Sequence, residues 1–253
     1  MSDQNEGHIL HYIDDELKYL HALISKMGEL VFSQLFQSLE SLKKGDTNLA
    51  EQVIQHEREV NQLEVGADSK ILTILARFSL VANDLRFVMA ASKIINDLER
   101  IGDEAAKIAN FVLFLHTDVD HNNPATYPLE DIYAVGDLAV TALHHALQSV
   151  AEGDGAKAKA ITLDHKALDD LFKACVQRLM NGRQPKNDYQ VSHSVRVVLI
   201  LKALERVGDH AQNLAESVIF QMTGEDVRHR FHDYDNEYLL ANQKDEYEYS
   251  QDE

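Results

Sequence analysis

The sequence predicts an all-α fold of six main helices, arranged as two pseudo-symmetric, spectrin-like three-helix bundles. Three observations carry this. Proline is confined to Pro124, Pro128 and Pro185 in 253 residues that are rich in the helix formers Ala, Leu, Glu, Gln and Lys. Apolar residues recur in steps of three and four, the helical period. The chain also repeats itself: KMGELVFSQLFQSLESLKKGD (26–46) aligns with AVGDLAVTALHHALQSVAEGD (134–154) at an offset of 108. A unit of that length, present twice, implies a pseudo-twofold pair rather than a solenoid of short repeats.

The first helix is expected from about Ile9 to Lys44, where Gly45 supplies the stop and Asp46 or Asn48 the next N-cap. A second runs from about Leu49 to Phe78 and a third from about Asp84 to His116, roughly 50 Å at 1.5 Å per residue. The third carries Phe87, Ala91, Ile94, Leu98, Ile101, Ala105, Ile108, Val112 and Leu115 in alternating steps of four and three, the seam of a coiled-coil-like bundle. Val197, Ile200, Leu204, Val207, Ala211, Leu214 and Val218 keep the same frame in the second half. Gly28, Leu35, Leu39 and Val60-Asn61 have their counterparts in Gly136, Leu143, Leu147 and Leu168-Asp169 at the offset of 108. By Glu99 and Glu205 the offset is 106, which places a two-residue loss in a loop between. The expected domains are residues 8–120 and 129–223, joined by the linker HNNPATYP (121–128). The segment 224–253 is an acidic tail, low in aliphatics and expected to be disordered.

Charge and composition exclude several functions. The formal charge of −18 would repel phosphate backbones and argues against nucleic acid as a partner. Residues 225–253 contribute −7 of it, leaving −11 on the body. Cys175 is the single cysteine, so no intrachain disulfide forms. The N-terminal MSDQNEGHILHYIDDELKYL lacks a signal-peptide layout, and the most apolar run, VRVVLILKAL, is too short to span a bilayer. A soluble cytoplasmic protein is expected. The chain has no Walker A loop, GxGxxG or GxSxG, so nucleotide and acyl-transfer chemistry find no foothold.

The repeated motif is ERIGD (99–103) and ERVGD (205–209). With Leu98 at a and Ile101 at d, Glu99 falls at b and Asp103 at f, so both are expected to point away from the seam, and Glu205 and Asp209 likewise. That is unlike the interior carboxylates of ferritin-type di-iron bundles, which also need inward Glu-x-x-His motifs. Two acids one turn apart repel by roughly 0.2–0.5 kcal/mol unless a cation relieves them. Lysine partners do not recur: Lys107 corresponds to Asn213, and Lys202 to Asn96. Of the nearby cations, only Arg100 and Arg206 do. A solvated charged face is one reading; a hard cation chelated through oxygen is the sharper one.

Gly102 and Gly208, mid-helix at e, each cost about 1 kcal/mol relative to alanine. With Ala109 and Ala215 they predict close approach of a neighbouring backbone. That would bring the second helix of each bundle to the acidic face, with Glu57, Asn61, Glu64 and Asp68 in the first half and His165 and Asp169 in the second. His210, beside Asp209, is an auxiliary candidate. The remaining histidines read as surface or packing residues.

ERIGDEAAKIA and ERVGDHAQNLA, with MGELV (27–31), NDLRFV (83–88) and the Gly-Asp after each first helix, resemble the paired signature of the PhoU family over about residues 10–222. That family comprises accessory regulators of bacterial phosphate-specific uptake. The resemblance implies a cytoplasmic, commonly dimeric regulator rather than an enzyme. It would restrain the uptake transporter and help keep the phosphate-starvation regulon off when phosphate is ample. The implied partners are the ATPase subunit of the phosphate ABC transporter and the membrane-bound sensor histidine kinase, with membrane contact only through them. Some members hold surface metal clusters, which implies Glu99, Asp103, Glu205 and Asp209 as ligands for multivalent ions (Fe, Zn, Mn, Mg or Ca). Glu57, Asn61, His165 and Asp169 are secondary candidates. Two features depart from the pattern: QVSH (190–193) replaces the DLRF element in the second repeat, and the tail lies outside it. A surface metalloenzyme and a metal-free scaffold are the competing readings.

Overall fold

A computed structural model describes residues 2–117, 129–181 and 188–227. The expected linker 121–128 and most of the tail lie outside the described residues. Six helices follow in order: α1 (Ser2–Lys44), α2 (Thr47–Arg77), α3 (Ala82–Thr117), α4 (Glu130–Glu152), α5 (Gly155–Asn181) and α6 (Asp188–Thr223). Helices α1–α3 pack on one another and so do α4–α6, while α3 against α6 and α1 against α4 join the two bundles. The all-α, two-bundle reading holds. The first helix starts well before Ile9, so α1 exceeds its counterpart α4, which has 23 residues to its 43.

The punctuation of each repeat follows local chemistry. Gly45 and Gly153 take φ of 65° and 61°, the left-handed region that stops a helix without a Cβ penalty. The next N–H reaches back to the last turn in both copies, Asp46 to the Ser41 carbonyl (3.0 Å) and Asp154 to that of Ser149 (3.2 Å). The same aspartates then cap the following helix: Asp46 Oδ1 accepts from Leu49 N–H at 3.0 Å, and Asp154 Oδ1 from Lys157 N–H at 3.2 Å.

The predicted seam is buried: Ala91, Leu98, Ile101, Ala105, Ile108, Ile200, Leu204, Val207, Ala211 and Leu214 are all inaccessible, though Leu115 is only partly covered. Burial extends beyond it, to Val88, Ile95, Ala106, Leu201, Ala203 and Ile219. The reason is topological. Each of α3 and α6 has three neighbours, the two other helices of its own bundle and each other.

The central pair runs antiparallel. Arg86 Nε donates to the Gln221 carbonyl at 3.3 Å, Lys93 Nζ lies 4.5 Å from the Phe220 ring, and Arg196 lies 5.4 Å from that of Phe114. Phe114 and Phe220 are repeat counterparts, so each end of the pair is closed by the same aromatic under a cation from the other helix. Val227, just past α6, is buried, so the first residues of the expected tail still pack on the body.

Candidate functional site

The α2 residues Glu57, Asn61, Glu64 and Asp68 lie four, three and four apart and share one helix face. Opposite them stands the Glu99–Asp103 turn of α3. Here the outward expectation needs correction. Side-chain exposure is only 14 % at Glu99 and 23 % at Asp103. In the second repeat Glu205 is 13 % exposed, and only Asp209, at 48 %, is open to solvent. A heptad frame assumes one seam, whereas α2 and α5 cover the b and f side of α3 and α6.

The first face is a set of carboxylates short of counter-charge. Glu57 faces Asp103, and burial first, then the Asp103 charge, raises its pKa. Burial likewise raises Glu99, with Asp103 and Glu64 adding repulsion, and raises Glu64, with Asp68 beside it. Arg100 approaches Glu99 at 3.5 Å and Asp103 at 3.8 Å, from a side chain that is itself 55 % exposed. Lys107 does not pair with Asp103; it donates to Glu104 at 3.0 Å. Asn61 Oδ1 is buried and accepts no hydrogen bond among the described residues.

The second face is internally paired. His165 Nε2 and Asp209 Oδ1 are 2.8 Å apart, and this hydrogen bond raises the His165 pKa against the effect of burial. Lys202 Nζ donates to Glu205 and Lys173 Nζ to Asp169, each at 2.5 Å.

The glycines do bring α2 and α5 close, but against side chains rather than backbone. A Cβ on Gly102 would meet Gln34 Oε1 at 3.3 Å and Val60 Cγ1 at 3.4 Å; one on Gly208 would meet Leu168 Cδ1 at 3.1 Å. Val60 and Leu168 are repeat counterparts on the second helices. Gln34 of α1 is fully buried, and both its amide atoms lack partners among the described residues.

His210 does not join the second face. Its Nδ1 lies 2.9 Å from Asp97 Oδ1 across the bundle junction, where Asn213 Nδ2 also donates at 3.0 Å. Nearby, Glu104 is 4 % exposed and accepts from Arg206 at 3.2 Å as well as from Lys107. Sequence reasoning missed Asp97 and Glu104 as junction residues. Their repeat counterparts, Ala203 and His210, differ in type, and that mismatch was the available signal.

Among the described residues no three His, Cys, Asp or Glu side chains converge tightly enough to enclose a metal ion. The donor chemistry of the first face nevertheless suits a hard cation: carboxylates that repel one another and a buried amide oxygen without a donor.

A duplicated three-helix bundle with an acidic turn at matching places in each central helix defines the class: a two-repeat helical-bundle protein whose signature sits on the grooves between its helices. The family model described as "PhoU domain" matches residues 24–112 and 132–218. The chain belongs to the PhoU family. It is 36 % identical over 225 residues to a phosphate-specific transport system accessory protein PhoU homolog from a Burkholderia species, covering 88 % of this chain and 94 % of that one. It is 32 % identical over 223 residues to the Escherichia coli K12 phosphate-specific transport system accessory protein PhoU, covering 88 % and 90 %. The crystal structure of PhoU from Pseudomonas aeruginosa superposes with a TM-score of 0.78 at 30 % identity, covering 84 % of this chain and 99 % of that one. That of the phosphate transport system regulatory protein PhoU from Streptococcus pneumoniae gives 0.75 at 26 %, covering 85 % and 99 %.

Proposed function

We propose that this chain is an accessory regulator of a phosphate-specific transport system. It acts without catalysis, as a cytoplasmic adaptor between the ATPase subunit of a phosphate ABC transporter and the sensor histidine kinase of the phosphate-starvation regulon, which it holds off when phosphate is ample. The observation that carries the reading is the match of both repeats, in register, to a family whose named relatives are accessory proteins of this transport system. No helix among the described residues is long and apolar enough to cross a membrane, which suits contact through partners. A homodimer is part of the proposal. Deleting the gene should derepress alkaline phosphatase in high-phosphate medium, and re-expression should silence it; unchanged expression on deletion would sink the regulatory reading.

Metal binding belongs to the proposal as well. Glu57, Asn61, Glu99 and Asp103 would hold a multivalent cation in the first repeat, and His165, Asp169, Glu205 and Asp209 in the second. A bound cation supplies positive charge that offsets carboxylate repulsion; the residues tie α2 to α3, or α5 to α6, around it. Elemental analysis of protein purified without chelators tests this, and a chain that takes up no metal even on titration leaves only the charged scaffold.

A further inference from the structure

The solvent-facing stripe of α3 runs through Leu85, Met89, Asn96 and Arg100, and its repeat counterparts on α6 are Val191, Val195, Lys202 and Arg206, all exposed. The pseudo-twofold axis passes between the two antiparallel helices, and α1 and α4 pack behind them. Both stripes therefore lie on one outer face, which no described residue covers. Its pattern is apolar, cationic, apolar. Leu85 and Met89 stand at one end, Leu199, Val195 and Phe114 at the other, each more than one-third exposed. Between them Arg100, Lys202 and Arg206 are 50–55 % exposed, against 4–14 % for Glu99, Glu104 and Glu205. Apart from Asp209 on the α5 flank, the charge that solvent meets along the middle is positive.

The chain comes to the first end of this face as it leaves α6. Gly224 takes φ of 76° and turns the backbone aside against Arg86, whose Cδ would stand 3.4 Å from a Cβ there. Val227 is then buried. Four residues on comes FHDYDNEYL (231–239), outside the described residues. Extended backbone sends alternate side chains to one side. Here that side reads Phe231, Asp233, Asp235, Glu237 and Leu239: apolar, three acids, apolar.

The lengths agree as well. The contacts of Arg206 with Glu104 and of Arg196 with Phe114 put Leu199 level with Phe111. That is about 33 Å beyond Met89 at 1.5 Å per residue. From Phe231 to Leu239 an extended chain spans about 26–29 Å, and the two end side chains reach the rest.

We propose that residues 231–239 lie extended along the outer face of the α3–α6 pair, as a strap that the chain supplies to itself. Phe231 rests on Leu85 and Met89, the three acids follow Arg100, Arg206 and Lys202, and Leu239 rests on Leu199 and Val195. Exposed ion pairs contribute little each, so the apolar ends hold the segment and the charges set its register. The short tether to the buried Val227 makes the encounter intramolecular, which favours the chain's own segment over that of a second copy. A protein that docks on this face must displace the strap.

The chain has no tryptophan, so Leu239→Trp in the full chain is a single reporter, with folding checked by circular dichroism. Blue-shifted emission and weak quenching by acrylamide are expected, equal at every protein concentration. Val195→Asp with Leu199→Asp, which alters only exposed positions, should shift the emission to the red and restore quenching. Asp233→Lys, Asp235→Lys and Glu237→Lys together should do the same. Val65→Asp, at an exposed position of α2 away from this face, should do neither. A solvent-like reporter in the Leu239→Trp chain, face substitutions without effect, or release by Val65→Asp would overturn the docking. Protection that grows with protein concentration would assign the segment to a second copy and overturn the intramolecular strap.

Discussion

Leu147 Cδ2 of α4 sits 2.7 Å from where a Cβ on Gly28 of α1 would stand. The repeat mates make the same contact in reverse, with Leu39 Cδ2 at 2.9 Å from the corresponding point on Gly136. The α1–α4 junction is thus one knob-and-notch used twice about a pseudo-twofold axis, and the glycines mark where the knobs enter.

The size of the replacement decides the outcome there. Alanine at Gly28 gains about 1 kcal/mol of helix propensity and asks only a terminal leucine methyl to turn aside, so thermal stability should change little. Phenylalanine would drive Leu147 out of its notch, with overpacking costing about 1–3 kcal/mol. Chemical denaturation of both variants checks this; a strongly destabilised Gly28→Ala would show that Leu147 cannot move.

Removing one acid from the first face should stabilise the metal-free protein. Glu57 has a raised pKa, so the folded state binds more protons than the unfolded one. Stability therefore falls as pH climbs above the usual 4.5 through the raised folded value. At pH 7, Glu57→Gln removes a repulsion of roughly 0.5 kcal/mol, and the melting temperature in chelator should rise. A fall instead would mean the carboxylate is held by a favourable partner.

The second face carries the opposite sign. Asp209 raises the pKa of His165, so the pair's contribution is fully present below the usual 6.5 and is lost as pH rises through the raised folded value. Asp209→Asn should cost about 1 kcal/mol at pH 6, the exposed aspartate keeping the figure small, and nearly nothing in alkali. NMR titration should also show the His165 pKa falling in the variant; an unmoved titration would remove Asp209 as its cause.

At the bundle junction the buried Glu104 has two cationic partners, Lys107 and Arg206. Either alone can hold the carboxylate, so Lys107→Ala and Arg206→Ala should each cost about 1 kcal/mol or less. Together they leave a buried charge unpaired, which costs about 3–5 kcal/mol. A double-mutant cycle should therefore show coupling of about 1–3 kcal/mol; simple additivity would indicate that water reaches Glu104.

The helices, their caps and the duplication were legible in the sequence because each rests on residues near in the chain. Gly45-Asp46 and Gly153-Asp154 end one helix and start the next by local hydrogen bonds alone. The seam from Phe87 to Val112 needs only the helical period. The acidic turns, and the α2 and α5 residues that face them, were also readable, since spacing along one helix fixes which side chains share a face.

Their environment was not. Glu99 and Glu205 are largely covered because α3 and α6 each pack against three helices, and a linear frame registers one seam. His210 went to Asp97 rather than to Asp209's face, and Lys107 to Glu104, because a flexible side chain's partner depends on which helix lies across from it. Chain-local forces thus wrote the elements and their symmetry. Packing of the helices, within each bundle and across the junction, decided which charges are buried, paired or left facing one another, because burial and Coulomb energy depend on distances that exist only once the helices have packed.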